Sequence, residues 1–170
     1  MELIDIIPEF NLYEEFWKIY TNSANLPPQY ISDRAVVDRC IISNSTEIYG
    51  EVHSSVLGAG VTVGEGSVIR DSIIMRDVEI GKNCVIEKAI IAENTKIGDN
   101  ATIGIGADVP NRMKTNIYSG GLATIGENSV VPSGVQIGKN TAISGVTAEE
   151  DYAGGVLASG ETLIKAGERV

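Results

Sequence analysis

The chain has 170 residues, room for one domain with an appendage, and its 23 acidic against 13 basic side chains leave a formal net charge of −10. That charge argues against a nucleic-acid partner, which demands clustered Lys and Arg, and no apolar run approaches the length of a membrane-spanning helix. Two cysteines make no disulfide framework and the acidic opening MELIDIIPEF has no leader pattern, so a cytoplasmic chain is expected.

Residues 1–30 read as a linker. Tyr13, Phe16, Trp17 and Tyr20 concentrate aromatic mass there. Such a cluster either caps the open end of the element that follows or packs against another domain.

From residue 31 an aliphatic ladder begins. Ile31, Val37 and Ile42 are followed by Ile48, Val52 and Leu57 with slightly shorter steps, as if one corner were trimmed. Then come Val63, Ile69, Ile74, Ile80, Ile86, Ile91, Ile97 and Ile103, in steps of six, five and six, so every third member returns after seventeen residues. Two positions before most ladder residues sits something small or β-branched, such as Ser55, Ser67, Ser72, Cys84, Ala89 or Ala101. Gly64, Gly81, Gly98 and Gly104 directly follow ladder residues.

The pattern is neither helical nor simple alternation. Two inward positions two residues apart make a short strand, and Gly supplies a corner that tolerates positive φ or close backbone approach. Three such sides close a triangular coil, and stacked coils share one aliphatic core. The expected fold is all-β, a parallel β-helix of hexapeptide repeats spanning 31–146.

The ladder breaks after Gly104. Residues 105–121, IGADVPNRMKTNIYSGG, are polar and turn-rich, and the ladder resumes at Ile125, Val131, Ile137 and Ile143. The interruption reads as a loop leaving one corner, and loops on rigid scaffolds often carry function. Its basic residues Arg112 and Lys114 are candidates for anion binding, because Arg in particular pairs phosphate oxygens. Lys139, in the resumed ladder, reads as a surface charge. Residues 147–170 lose the ladder. Val156, Leu157, Leu163 and Ile164 predict a terminal hairpin that caps the last coil.

His53 is the only histidine. Its outward position suits a solvated face, with a general base of hexapeptide acyl transfer as the alternative. One imidazole rules out a three-histidine zinc site. Cys40 and Cys84 fall on the small inward register and read as buried hydrophobes.

The segment LYEEFWKIYTNSANLPPQYI, residues 12–31, resembles the interdomain junction of bacterial glucose-1-phosphate adenylyltransferases. Tyr13, Trp17, Ile19, Tyr20, Thr21, Pro27 and Pro28 carry the likeness. Residues 41–75 and VVPSGVQIGKN, 130–140, are similar to the β-helix of that family. The resemblance implies a left-handed β-helix that serves as the C-terminal assembly and allosteric domain, with Tyr13, Phe16, Trp17 and Tyr20 against the catalytic domain.

The family's catalytic half is an α/β domain opening on a GG-x-G-x-R loop, and no such stretch occurs here. This chain alone is therefore expected to be inactive. The whole enzyme would use ATP and Mg²⁺ to make ADP-glucose for glycogen, as a homo-oligomer. The resemblance also implies a sugar-phosphate effector, for which Arg112 and Lys114 are the candidates. Glu127 stands where plant-type members carry a Lys, which tells against phosphoglycerate-type activation. A stand-alone acetyl-coenzyme A acyltransferase, and the β-helix of another sugar-1-phosphate nucleotidyltransferase, are the alternatives.

Overall fold

The computed structural model describes residues 25–165, together with Ile4, Glu9, Glu15 and Phe16. Within them the chain winds into a parallel β-helix with three flat faces. The first face stacks Tyr30–Ile31, Glu47–Ile48, Thr62–Val63, Glu79–Ile80, Lys96–Ile97 and Val130–Val131. Val36–Asp38, Glu51–His53, Val68–Arg70, Val85–Glu87, Thr102–Ile103, Gln136–Ile137 and Val156–Leu157 form the second. The third holds Ile41–Ile42, Val56–Leu57, Ile73–Ile74, Ala89–Ile91, Ala123–Ile125, Thr141–Ser144 and Thr162–Ile164.

The ladder is the interior. Ile48, Val52, Leu57, Val63, Ile69, Ile86, Ile91, Ile103 and Ile125 have no exposed surface, and each stacks on its counterpart one coil away. Burying each such side chain stabilises the fold by roughly 1.5–3 kcal/mol. The small partners are buried beside them because the corner leaves room for little more. Where they are hydroxyls they also bond across coils: Ser55 Oγ accepts from Ser72 N, and Ser72 Oγ from Ala89 N, both at 3.1 Å.

The trimmed corner is Tyr49–Gly50. Glu47 pairs with Thr62 across a coil of fifteen, while Thr62 pairs with Glu79 across seventeen. A side chain at Gly50 would overlap the Ser67 carbonyl oxygen of the next coil.

One expectation divides in two. Gly64, Gly81 and Gly98 are not the residues with positive φ; they are needed for close approach, since a Cβ at Gly64 would overlap the backbone of Gly81. The left-handed turn falls two residues later, at Gly66, Asn83 and Asn100. Asn tolerates that region better than most residues, so the corner needs no second Gly.

The expected C-terminal hairpin does not form. Val156–Leu157 pairs in parallel with Gln136–Ile137, and Thr162–Ile164 with Thr141–Ser144, adding a seventh coil. Leu157 stacks on Ile137 and Leu163 on Ile143, so the ladder simply continues. The excursion at 148–155, which carries a 3₁₀ turn at Glu149–Asp151, hides that continuation in the sequence. An ion pair from Lys165 to Asp151 and the buried Thr147–Tyr152 hydroxyl contact of 2.8 Å tie the excursion down. Among the described residues no helix is long and apolar enough to cross a membrane.

Outside, charges repeat at the coil spacing. Lys82–Glu65, Lys96–Glu79 and Arg76–Glu93 pair at 3.2, 3.0 and 3.3 Å. Each exposed pair is worth about 0–1 kcal/mol, so they support the register more than they stabilise it.

Candidate functional site

The corner loop leaves the fifth coil after Thr102–Ile103 and returns at Ala123–Ile125. It exits through Gly104, whose φ of +81° and closeness to the Glu87 carbonyl oxygen admit no side chain. Two buried asparagines then hold the loop against the sixth and seventh coils.

Asn111 is 1% exposed. Its Nδ2 donates to the Asn140 carbonyl oxygen at 2.9 Å and to Thr162 Oγ1 at 3.0 Å. Its Oδ1 accepts from the backbone N–H groups of Met113 and Lys114, both at 2.9 Å. That is the bonding of an N-cap, and the turn it starts closes with Ile117 N and Tyr118 N donating to Lys114 O at 3.0 Å.

Asn140 is 2% exposed and works from the other side. Its Oδ1 accepts from Gly121 N at 2.8 Å, while its Nδ2 donates to Asp108 Oδ1 at 2.6 Å and Val109 O at 2.9 Å. Every polar atom of the clamp has a partner, so the loop has a defined shape. Sequence reasoning passed over both residues. Asn111 follows a Pro and precedes a turn, which is a cap signal, but only the coil stacking shows that both side chains are buried.

Arg112 and Lys114 are exposed on this capped turn. The Arg112 guanidinium lies 3.4 Å from Glu161 of the seventh coil, and the backbone N–H of Arg112 donates to Gly160 O at 2.9 Å. The cation is thus already engaged by a carboxylate.

A separate open cleft of about 520 Å³ lies between the Ser133–Gly134 corner and the 148–155 excursion. Glu149, Glu150 and Tyr152 line it. An acidic lining of this kind disfavours a phosphate.

His53 sits on the outer second face, in register between Asp38 and Arg70, with Nε2 3.4 Å from Glu51 Oε2. Its neighbours form a surface ladder of charges. Cys84 is fully buried, and burial pushes its thiol up; Cys40 is half-buried and raised for the same reason. A raised thiol is a poor nucleophile. Of the junction aromatics, Phe16 is fully exposed, while Tyr13, Trp17 and Tyr20 lie outside the described residues. Among the described residues no three His, Cys, Asp or Glu side chains converge to hold a metal ion.

Three stacked parallel faces with a repeating inward ladder define a hexapeptide-repeat β-helix. The family described as "GlmU-like, C-terminal hexapeptide" matches residues 22–125, and the chain belongs to it. It is 61% identical over 168 residues to a glucose-1-phosphate adenylyltransferase of Lachnospira eligens, covering 99% of this chain and 40% of that protein. It is also 43% identical to the enzyme of the same name from Acetivibrio thermocellus, covering 99% of this chain and 39% of that one. The chain thus spans about two-fifths of the length of these relatives. The acetyltransferase domain of PglB from Neisseria gonorrhoeae overlaps with a TM-score of 0.49 at 20% identity, covering 78% of this chain and 55% of that one. A likeness at that level carries no argument about activity.

Proposed function

We propose that this chain serves as the C-terminal assembly and regulatory domain of a glucose-1-phosphate adenylyltransferase. The whole enzyme would convert ATP and glucose 1-phosphate to ADP-glucose and pyrophosphate for glycogen synthesis, in the cytoplasm. One observation carries this reading: identity of 61% extends along 99% of the chain yet reaches only 40% of the relative's length. The described residues from 30 to 164 within that match are β-helix, which offers stacked strands and corners rather than a nucleotide site. Mg²⁺ and ATP belong in this reading to the portion of the enzyme that the relatives carry beyond the matched two-fifths.

The reading includes an effector role for Arg112 and Lys114 and an interdomain role for Tyr13, Phe16, Trp17 and Tyr20. In support of the first, Arg112 is 75% exposed on a loop of fixed shape. A sugar-phosphate arriving there must displace the Glu161 carboxylate, which holds the guanidinium in the anion's place.

An ADP-glucose synthesis assay tests the proposal on two proteins. One is the chain alone; the other is the chain joined to the three-fifths of the Lachnospira enzyme that it lacks. We expect no product from the first and ADP-glucose from the second. Synthesis by the chain alone, or an inactive but folded fusion, would overturn the reading.

A further inference from the structure

In the first four coils every strand of the third face carries two aliphatic residues in a row: Ile41–Ile42, Val56–Leu57, Ile73–Ile74 and Ile90–Ile91. Side chains alternate across a strand, so only the second of each pair enters the core. The first of each, Ile41, Val56, Ile73 and Ile90, points outward. These four stack in register into one half-buried apolar stripe, three coil spacings or roughly 15 Å long. The outward register of the first face holds Glu47, Thr62, Glu79 and Lys96 instead. On the second face Glu51 interrupts the row, and Asp38, His53 and Arg70 run beside it. A continuous apolar stripe on one face of three is a surface built to be covered.

Its position identifies what covers it. The stripe ends at the fifth coil, where Thr124 takes the register, followed by Ala142 and Thr162. It is thus confined to the coils nearest the chain's entry, and that entry lies at its edge. Ser45 N donates to Pro27 O at 2.8 Å, in the corner that joins the third face to the first. Of the two faces meeting there, only the third is apolar. Up to residue 24 the chain lies outside the described residues, apart from Ile4, Glu9, Glu15 and Phe16. That stretch includes Leu12, Tyr13, Trp17, Ile19 and Tyr20, five large apolar or aromatic side chains in nine positions. Trp17 is ten residues from Pro27, a reach of up to roughly 33 Å, enough to span the whole stripe.

We infer that the segment 12–20 docks along the third-face stripe of its own chain, with Trp17 as the anchor. This goes beyond the interdomain role given above to Tyr13, Trp17 and Tyr20. The β-helix itself holds these aromatics, so the junction is an arm of fixed course, and the fully exposed Phe16 is left to meet the rest of the enzyme. The inference stands apart from the synthesis reading, and either can fail alone.

Trp17 is the only tryptophan, so the emission of the 170-residue chain reports the contact. Wild-type emission should lie to the blue of the urea-unfolded chain and should not move on dilution. The double variant Ile73→Glu/Ile90→Lys copies onto the stripe the Glu79–Lys96 pair that the first face carries one coil apart, so the fold accommodates it and the circular dichroism spectrum should not change. Losing two anchors weakens such a contact at least about tenfold, so the emission should shift to the red, to its position in urea. Val68→Glu/Val85→Lys makes the same change in the outward register of the second face and should leave the emission where it is. A wild type that already emits as it does in urea overturns the inference, whatever the variants do. An unshifted Ile73→Glu/Ile90→Lys overturns it too, and sends the segment to the open end of the first coil instead. So does an equal shift in the second-face variant. Emission that reddens on dilution would put Trp17 on a second copy and likewise sink the inference.

Discussion

Replacing Ile86 by Ala should destabilise the chain by about 2–5 kcal/mol, read as a lower midpoint in urea at unchanged slope. Ile86 is central on the second face, has no exposed surface, and stacks between Ile69 and Ile103. Truncation opens a cavity bounded by three coils whose backbones are fixed by cross-coil hydrogen bonds, so the site cannot collapse. A domain of this size has only about 5–15 kcal/mol in total, so much of its stability rests on this one position. Ile90→Ala is the control. Ile90 lies on the outer surface of the third face and is half-buried, so its loss leaves no void and should cost far less. Equal losses at the two positions would contradict the assignment of inward and outward faces.

Asn140→Ala should cost about 3 kcal/mol and release the corner loop. It removes the acceptor for Gly121 N and the donor to Asp108 and Val109. Each buried polar group left without a partner costs about 1–3 kcal/mol, partly relieved where water enters. The backbone adds to the loss, since residue 140 has φ of +53°, a region where Ala is strained by roughly 1–2 kcal/mol. Asn100→Ala isolates that backbone contribution, because Asn100 has φ of +60° at an exposed corner. Hydrogen exchange supplies the second readout. Amides of 105–121 should exchange faster in Asn140→Ala and stay protected in Asn100→Ala. A loop as well protected as in the wild type would show that Asn140 does not hold it.

These two sites differ in how readily the sequence gives them away. Ile86 is plain in the sequence, because a coil of three short strands forces inward aliphatics into a period that no helix or hairpin shares. Ser67, Cys84 and Ala101 are legible for the same reason, as partners limited to small size by the corner. The seventh coil was hidden because its first face is reduced to a single bridge at Val146, after which the chain wanders through 148–155. Leu157 and Leu163 then keep the step of six, but Glu161 stands where the earlier coils carry a small residue two positions before the ladder.

Asn140 was obscure for a different reason. It occupies a corner register where Asp71 and Lys88 are exposed, and only the loop folding back over it buries the side chain. Contacts between segments thirty residues apart leave no periodic trace. Arg112 was found by its charge, but its engagement with Glu161 depended on a coil that the sequence did not reveal.

The central claim is that this β-helix works as one part of an adenylyltransferase, and the reading frame upstream of the Met1 codon tests it most directly. The account predicts that the frame stays open through the remaining three-fifths of the relatives' length and encodes a Gly-rich, Arg-bearing nucleotide loop. A stop codon just upstream, with a ribosome-binding site ahead of Met1, would contradict it and leave a free-standing β-helix.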